Sequence, residues 1–149
     1  MATVTSTIAA PPGQVFAVLA DGWTYSNWVT GTSHMRAVDA LWPQPGSKLH
    51  HAAGIWPAVT RDETVVEQLT DGSRLELIAR GRPLGEARVV IELVEEGSTT
   101  RVTMTETPIS GPGKWLHNPV TDGLLGRRNI ESLARLAAIA ERRTESGHE

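Results

Sequence analysis

Apolar and polar side chains alternate with two different periods along this chain. Thr3 to Ile8 is a short β-prone segment, and Gln14 to Ala20 carries apolar residues at helical spacing directly after a Pro-Pro pair. Proline suits a first helical turn, because the N–H group that it lacks has no partner there. A second short helix or turn is predicted from Gly22 to Trp28. The chain therefore opens with one strand and two short helices.

From Ser33 to Thr107 apolar residues alternate with polar ones, and turn residues interrupt the alternation at intervals. Val89 and Ile91, for example, share one face of their segment while Arg88 lies on the other. This pattern is typical of an antiparallel sheet with one buried face. It predicts six strands, at His34–Ala40, Lys48–Gly54, Ala58–Leu69, Arg74–Ala79, Gly85–Glu95 and Thr99–Thr107.

A long helix is predicted from about Pro119 to Arg142. Its apolar stripe must be buried, and the sheet is the surface available for it. A strongly curved seven-stranded sheet around one helix favours a concavity between the two. The predicted fold class is α+β, a helix-grip in which the curved antiparallel sheet surrounds the C-terminal helix. The stripe consists of Leu125, Asn129, Leu133, Leu136, Ala137 and Ala140.

Composition narrows the classes of protein that the sequence can represent. The 149 residues are expected to form a single domain, with a polar tail from about residue 143 to 149 that frays. A net charge of −3 without a run of Lys or Arg argues against a nucleic-acid partner. No segment approaches the ~18 apolar residues of a membrane span, and a cytoplasmic location is expected. The absence of cysteine excludes disulfides, thiolate catalysis and cysteine-ligated zinc.

The opening of the chain resembles that of a known superfamily. The segment IAAPPGQVFAVLAD, from Ile8 to Asp21 and followed by Trp28, is similar to the start of START-like, Bet v 1-like proteins. The nearest branch is the bacterial polyketide cyclase/dehydrase and lipid-transport group, also called SRPBCC. The order of elements and the terminal helix agree with it over nearly the whole chain. The resemblance implies the fold, and it leaves function open among ligand carriers, aromatase/cyclases, hydrolase-like members and co-chaperone modules.

Tryptophan dominates the aromatic residues, with five Trp against one Tyr and one Phe. An indole offers a broad apolar face with one N–H donor, which suits the lining of a pocket for flat or hydrophobic ligands. Trp28, Trp56 and Trp115 are the candidate ligand contacts, because they lie near loops at the expected mouth of the cavity. Ordinary packing in the core or at its rim is the alternative for each of them.

The pair His50 and His51 lies on a predicted strand, where neighbouring side chains point to opposite faces. The two imidazoles therefore cannot easily share an ion, and neither HxH nor HxxxH occurs in the chain. No metal site and no cofactor are predicted. One imidazole of the pair faces inward, and His51 is the candidate acid, base or hydrogen-bond donor to a ligand carbonyl. A purely structural histidine is the alternative.

Glu106 follows Val102 and Met104 in alternation, which places its carboxylate on the apolar face of the last strand. A carboxylate there needs a partner or a raised pKa, and such groups are frequent in functional pockets. The alternative is that the strand twists out of the core before Pro108, so that Glu106 is solvated.

Three further positions leave two interpretations open. Asn129 interrupts the helix stripe, and its amide could bind a ligand or make a local helix-to-loop contact. Arg61 and Glu63 share a face and form either an inward ion pair or a solvated surface pair. Arg127 and Arg128 are interpreted as part of a solvated helix face.

The leading hypothesis is a protein that binds a hydrophobic or aromatic small molecule, polyketide- or lipid-like, between the sheet and the long helix. Trp28, Trp56, Trp115 and Asn129 are its predicted binding residues. The alternative is an enzyme of the cyclase/dehydrase type that uses His51 or Glu106 as acid or base in the same cavity. A protein-interaction module of the co-chaperone kind is the second alternative. The oligomeric state, monomer or homodimer, is left open.

Overall fold

A computed structural model describes residues 2–29, 32–53, 60–81, 85–111 and 119–146. The chain begins with β1 (Ala2–Ile8) and the helix α1 (Pro12–Ala20), which has proline in its first turn as predicted. A 3-10 turn (Gly22–Thr24) leads into the short helix α2 (Tyr25–Trp28). The last element is the long helix α3 (Pro119–Ser146).

Six strands lie between the short helices and α3 and join β1 in one antiparallel, seven-stranded sheet. Its order is β1-β7-β6-β5-β4-β3-β2, so β1 and β2 are the edges. The predicted α+β fold class, with two short helices after β1 and a C-terminal helix packed on the sheet, is confirmed. The strands are β2 (Thr32–Val38), β3 (Lys48–Ala53), β4 (Thr60–Thr70), β5 (Arg74–Gly81), β6 (Gly85–Glu96) and β7 (Thr99–Ser110).

Strand β7 continues three residues beyond the predicted end at Thr107. Pro108 is tolerated inside the sheet because it pairs with Ala87 next to a register shift, where the ladder of backbone hydrogen bonds is already irregular. The edge strand β2 is irregular as well. Its pairing with β3 shifts register between Thr32 and His34 and again between Met35 and Ala37.

Helix α3 ends at Ser146, four residues beyond the predicted end at Arg142. The frayed tail is predicted from about residue 143, whereas the helix continues to Ser146. Arg143 forms an ion pair with Asp21 at the end of α1, with Nη2 and Oδ2 3.0 Å apart, which ties the last turns of α3 to the body of the fold. None of the described helices is long and apolar enough to cross a membrane.

The core lies between the inner face of the sheet and the helices α1 and α3. Strand β6 presents Val89, Ile91 and Leu93 to it, as the alternation predicts. The C-terminal half of α3 buries Leu133 and Leu136 against this surface, and burial of such a side chain contributes about 1.5–3 kcal/mol. The N-terminal half of the same stripe carries Asn129 and Ser132 in place of apolar residues.

The outer face of the sheet carries charged side chains in pairs. Glu63 contacts Lys48 and Arg80, with the closest N–O distances 3.6 and 2.8 Å. Glu76 contacts Arg74 and Arg88, each at 3.0 Å. The apolar side chains of the sheet are therefore concentrated on the face that meets α3.

Candidate functional site

A chain of hydrogen bonds crosses the core between α2 and the strands β3 and β4. His51 and Thr64 face inward from neighbouring strands, and His51 Nε2 lies 3.0 Å from Thr64 Oγ1. Thr64 Oγ1 also lies 3.3 Å from the phenol oxygen of Tyr25. The Tyr25 ring packs on the His51 ring, with centroids 5.4 Å apart and planes 30° apart. All three residues are buried, so these bonds form out of contact with bulk water.

The ionisation state of Tyr25 allows it to donate into this chain. Burial is the main cause that raises the pKa of the Tyr25 phenol, and Glu106 adds to it, while the Thr64 bond and the Arg128 charge oppose it. Tyr25 is therefore a neutral O–H donor at pH 7. The acceptor that the structure gives it is Thr64 Oγ1. When Tyr25 donates to Thr64, the Thr64 hydroxyl proton is available to His51 Nε2, which places the ring proton on Nδ1.

The reverse direction leaves more buried groups unsatisfied. If His51 Nε2 donated to Thr64 and Thr64 to Tyr25, both the phenol proton and His51 Nδ1 would lack partners. When Tyr25 donates to Thr64 and Thr64 to His51, only His51 Nδ1 lacks a hydrogen-bond partner among the described residues. A buried unsatisfied group costs about 1–3 kcal/mol, so the direction with fewer such groups is favoured. His51 therefore presents an unused Nδ1–H donor to the core.

The imidazole of His51 is neutral in the folded protein at pH 7. Burial is the main cause that lowers its pKa below the usual 6.5, and the charges of Arg36 and His50 lower it further. The carboxylate of Asp62, which pairs in register with His51, acts in the opposite direction. His51 therefore occupies the core as a hydrogen-bonding group rather than as a cation.

The lowered pKa of His51 predicts a dependence of stability on pH. Below about pH 6.5, the usual pKa of the imidazole, the unfolded chain binds a proton that the folded chain resists. The free energy of unfolding should therefore fall with decreasing pH, by at most about 1.4 kcal/mol per pH unit for this one group. His51→Gln removes the group, so its stability should fall less steeply between pH 7 and 5. Urea denaturation of both proteins tests this, and equal slopes would contradict it.

Glu106 faces the core, as the alternation predicts, and is not solvated. Its side chain is 7% exposed, and both of its carboxylate oxygens lie 2.6 Å from Nη2 of Arg128. Arg128 lies on an exposed part of α3, as expected, but it also forms an ion pair that the sequence did not predict. The Arg128 side chain is 43% exposed, and its guanidinium reaches from α3 to the sheet. Both charges act on the Tyr25 phenol, so this ion pair borders the hydrogen-bonded chain.

Asn129 follows Arg128 on α3 and is 3% exposed. Its side-chain nitrogen Nδ2 has no hydrogen-bond partner among the described residues. The local contact considered as the alternative is thus not made by this nitrogen within the described part of the chain. An amide nitrogen carries two hydrogens, so Asn129 adds unused donors to the interior.

Trp28 is buried in the core beside these groups. Its ring packs edge-on against the Tyr25 ring, with centroids 5.6 Å apart and planes 69° apart. Trp28 therefore helps to hold the Tyr25 ring in its hydrogen-bonded position. The other two candidate tryptophans, Trp56 and Trp115, lie outside the described residues.

The inward acid on β4 is Asp62, not the Arg61–Glu63 pair. Asp62 is buried, whereas Glu63 pairs with Lys48 and Arg80 on the outer face. Strict alternation counted back from Leu69 would turn Glu63 inward. A register shift between Val66 and Gln68 changes the phase of the strand. Of the two interpretations left open, Glu63 therefore follows the surface one.

Sequence reasoning missed four residues of this site: Tyr25, Asp62, Thr64 and Arg128. Tyr25 is the chain's one tyrosine. That rarity is the sequence feature that could have marked it as a candidate site residue. Thr64 lies two residues before the buried Val66, so alternation from Val66 would have found both Thr64 and Asp62. Within the described ranges, no three His, Asp or Glu side chains are grouped so that they could hold a metal ion.

Solved structures share this architecture. Protein NE0264 from Nitrosomonas europaea is 19% identical, with a TM-score of 0.71, and the match covers 96% of this chain and 95% of that one. Ara h 8.0201 is 11% identical, with a TM-score of 0.70 and coverage of 94% and 96%. The di-domain ARO/CYC StfQ from the steffimycin biosynthetic pathway is 17% identical, with a TM-score of 0.70, and the match covers 97% of this chain but 46% of StfQ. At these identities the likeness shows the fold alone.

Comparison at the level of sequence gives the family. No curated protein matches the chain. The sequence profile of the family described as Polyketide cyclase / dehydrase and lipid transport matches residues 1–141, which is most of the chain. This confirms the resemblance carried by the opening segment. The chain belongs to the polyketide cyclase/dehydrase and lipid transport family, with the Bet v 1-like helix-grip fold.

Proposed function

We propose that this protein binds a hydrophobic or aromatic small molecule, polyketide- or lipid-like, between the sheet and α3. The observation that carries the proposal is a pair of buried nitrogens, His51 Nδ1 and Asn129 Nδ2, which have no hydrogen-bond partner among the described residues. Each unsatisfied group costs about 1–3 kcal/mol when it is buried. A ligand with hydrogen-bond acceptors would satisfy these nitrogens and remove this cost. The apolar side chains around them would exclude water from the bound ligand.

The proposed contacts divide by chemistry. Trp56 and Trp115 are proposed to contact the ligand with their apolar indole rings. Trp28 is proposed to act indirectly, because it packs against the Tyr25 ring and holds that ring in place. His51 and Asn129 orient the ligand. Glu106 sets the electrostatic environment together with Arg128. Membership of a family described by both cyclases and lipid transport supports a ligand of this class.

A cyclase/dehydrase-type enzyme is the second candidate, supported by the neutral His51 imidazole with a free Nδ1. Proton donation from Nδ1 to a ligand carbonyl would draw a proton along the chain from Thr64 and Tyr25. Burial raises the pKa of the Tyr25 phenol, which opposes its loss of that proton. Glu106, the other proposed acid or base, is already paired with Arg128. These observations favour binding over proton transfer.

Native mass spectrometry with fatty acids, flavonoids and linear polyketide mimics tests both candidates. The expected result is a one-to-one complex at the unaltered ligand mass. A product lighter by one water would instead support the enzyme, and Glu106→Gln and His51→Phe should then abolish it.

Side-chain NMR locates the bound ligand. Binding should shift the side-chain amide signals of Asn129 and leave those of Asn27, which is exposed on α2, unchanged. Failure to bind any ligand, or shifts confined to the outer face of the sheet, would refute the proposal and favour a protein-interaction module.

A further inference from the structure

We infer that the interior site selects an uncharged ligand that turns a carbonyl oxygen toward His51 and Asn129, in preference to a carboxylate or a plain hydrocarbon. This inference rests on the proposed function and specifies its ligand. It follows from the balance of hydrogen-bond donors and acceptors in the core and from the balance of charge around them.

The unsatisfied groups of the core are donors. Asn129 Nδ2 carries two hydrogens, and neither has an acceptor among the described residues. The direction that leaves fewer buried groups unsatisfied has Thr64 donating to His51 Nε2, so the ring proton is on Nδ1. These donors come from opposite walls, His51 from the sheet and Asn129 from α3. An oxygen acceptor on the ligand is what both walls lack.

The side-chain oxygens of Glu106, Thr64 and Tyr25 already have hydrogen-bond partners. Both carboxylate oxygens of Glu106 bind Arg128. Thr64 Oγ1 accepts from Tyr25 and donates onward to His51. Tyr25, at the start of this chain, uses its proton on Thr64. The surplus of donors is therefore not an effect of one misplaced side chain, since the neighbouring oxygens are committed elsewhere.

The charges of the site disfavour an anion. Arg128 borders the hydrogen-bonded chain, and Glu106 compensates its charge. The guanidinium of Arg36 donates to the backbone carbonyls of His51 and Asp62. His51 is neutral, and the negative charge of buried Asp62 already acts on its ring. A ligand carboxylate could bind Arg128 only by leaving Glu106 in the core without its cation, which is costly. A ketone, quinone or lactone carbonyl accepts the same hydrogen bonds without adding charge.

The aromatic side chains indicate a suitable shape for the probe. The Tyr25 ring packs on the His51 ring with its plane tilted by 30°, and Trp28 packs edge-on against Tyr25. Rigid, flat molecules match such surfaces at low cost in conformational entropy. Fluorene, 9-fluorenone and fluorene-9-carboxylate share one tricyclic frame, and they carry a methylene, a carbonyl and a carboxylate in turn.

NMR titration of the intact protein with these three probes tests the inference. Fluorenone should bind about fivefold or more tighter than fluorene, which is the effect of one net hydrogen bond. The carboxylate should bind more weakly than fluorenone. Asn129→Leu should remove most of the preference for fluorenone while fluorene still binds, whereas the matched surface variant Asn27→Leu should keep the preference.

A second variant protects the test against misfolding. Asn129→Asp keeps the size of the side chain but replaces the donor nitrogen with an acceptor, so the preference for fluorenone should fall below that of the wild type. The comparison of probes on the wild-type protein needs no variant. Equal binding of fluorene and fluorenone, or tighter binding of the carboxylate, overturns the inference and leaves the proposed function standing. Failure of all three probes also counts against the inference, and it counts against the proposed function only when the wider ligand panel fails too.

Discussion

Replacement of Arg128 by methionine is expected to lower the free energy of unfolding by about 2–3 kcal/mol, because it strands the Glu106 carboxylate in the core. Glu106 is 7% exposed and takes both of its charged contacts from the one nitrogen of Arg128. Breaking a fully buried pair costs about 3–5 kcal/mol. The expected value is smaller, since Arg128 is 43% exposed and water can replace part of its role.

Two further variants separate this effect from the loss of packing. Arg135→Met removes a guanidinium from the same helix. Its ion-pair partner is Glu131, with Arg135 Nε and Glu131 Oε1 3.0 Å apart, and both side chains are exposed. An exposed pair of this kind contributes about 0.3–0.5 kcal/mol. The double variant with Glu106→Leu and Arg128→Met removes both charges and should recover most of the lost stability. Urea denaturation gives all three values. An Arg128→Met loss no larger than that of Arg135→Met would show that Glu106 does not depend on this partner.

The substitution Gly85→Ala is expected to cost about 3 kcal/mol or more. Gly85 begins β6 with a φ of +106°, which side-chain-bearing residues rarely adopt. A Cβ at this position would overlap the backbone carbonyl oxygen of Ser110 and lie 2.7 Å from the Cα of Gly111. Because these atoms belong to the backbone of β7 and the residue after it, they can give way only if the end of the β6–β7 pairing moves.

Gly97→Ala provides the matched control. Gly97 lies in the turn between the same two strands and also has a positive φ, +64°, but a Cβ there would meet no atom within 4 Å. Its substitution should cost only the conformational penalty of about 1–2 kcal/mol. Thermal and urea unfolding of both variants measure the difference. Equal losses would mean that the contact with Ser110 is relieved without cost.

The fold was predictable because the periods of the apolar residues reflect burial directly. The alternation of Val89 and Ile91 found the inner face of β6, and the stripe with Leu133 and Leu136 found the buried face of α3. Alternation fails where the backbone departs from a regular strand. On β4 the register shift between Val66 and Gln68 reverses the phase, and strict counting then puts Glu63 in the core in place of Asp62.

The candidate site was predictable only as separate inward residues. Glu106 and Asn129 interrupt apolar patterns, which marks them as polar groups inside the core. The partner of Glu106 follows from tertiary structure alone. Arg128 reaches Glu106 from a different element, 22 positions away, although its position in the helix pattern suggests a solvated side chain. The bond between Tyr25 and Thr64 spans 39 positions and depends on how α2 packs on the sheet.

The irregular edge strand β2 has a consequence for association between molecules. An edge strand offers a free row of backbone N–H and C=O groups that a strand from another molecule can extend, which is how aggregates grow. In β2 the two register shifts between Thr32 and Ala37 interrupt the regular spacing of this row. An incoming strand would match only a few consecutive groups before its register failed. The irregularity of β2 therefore protects this edge of the folded protein against growth into a continuous intermolecular sheet.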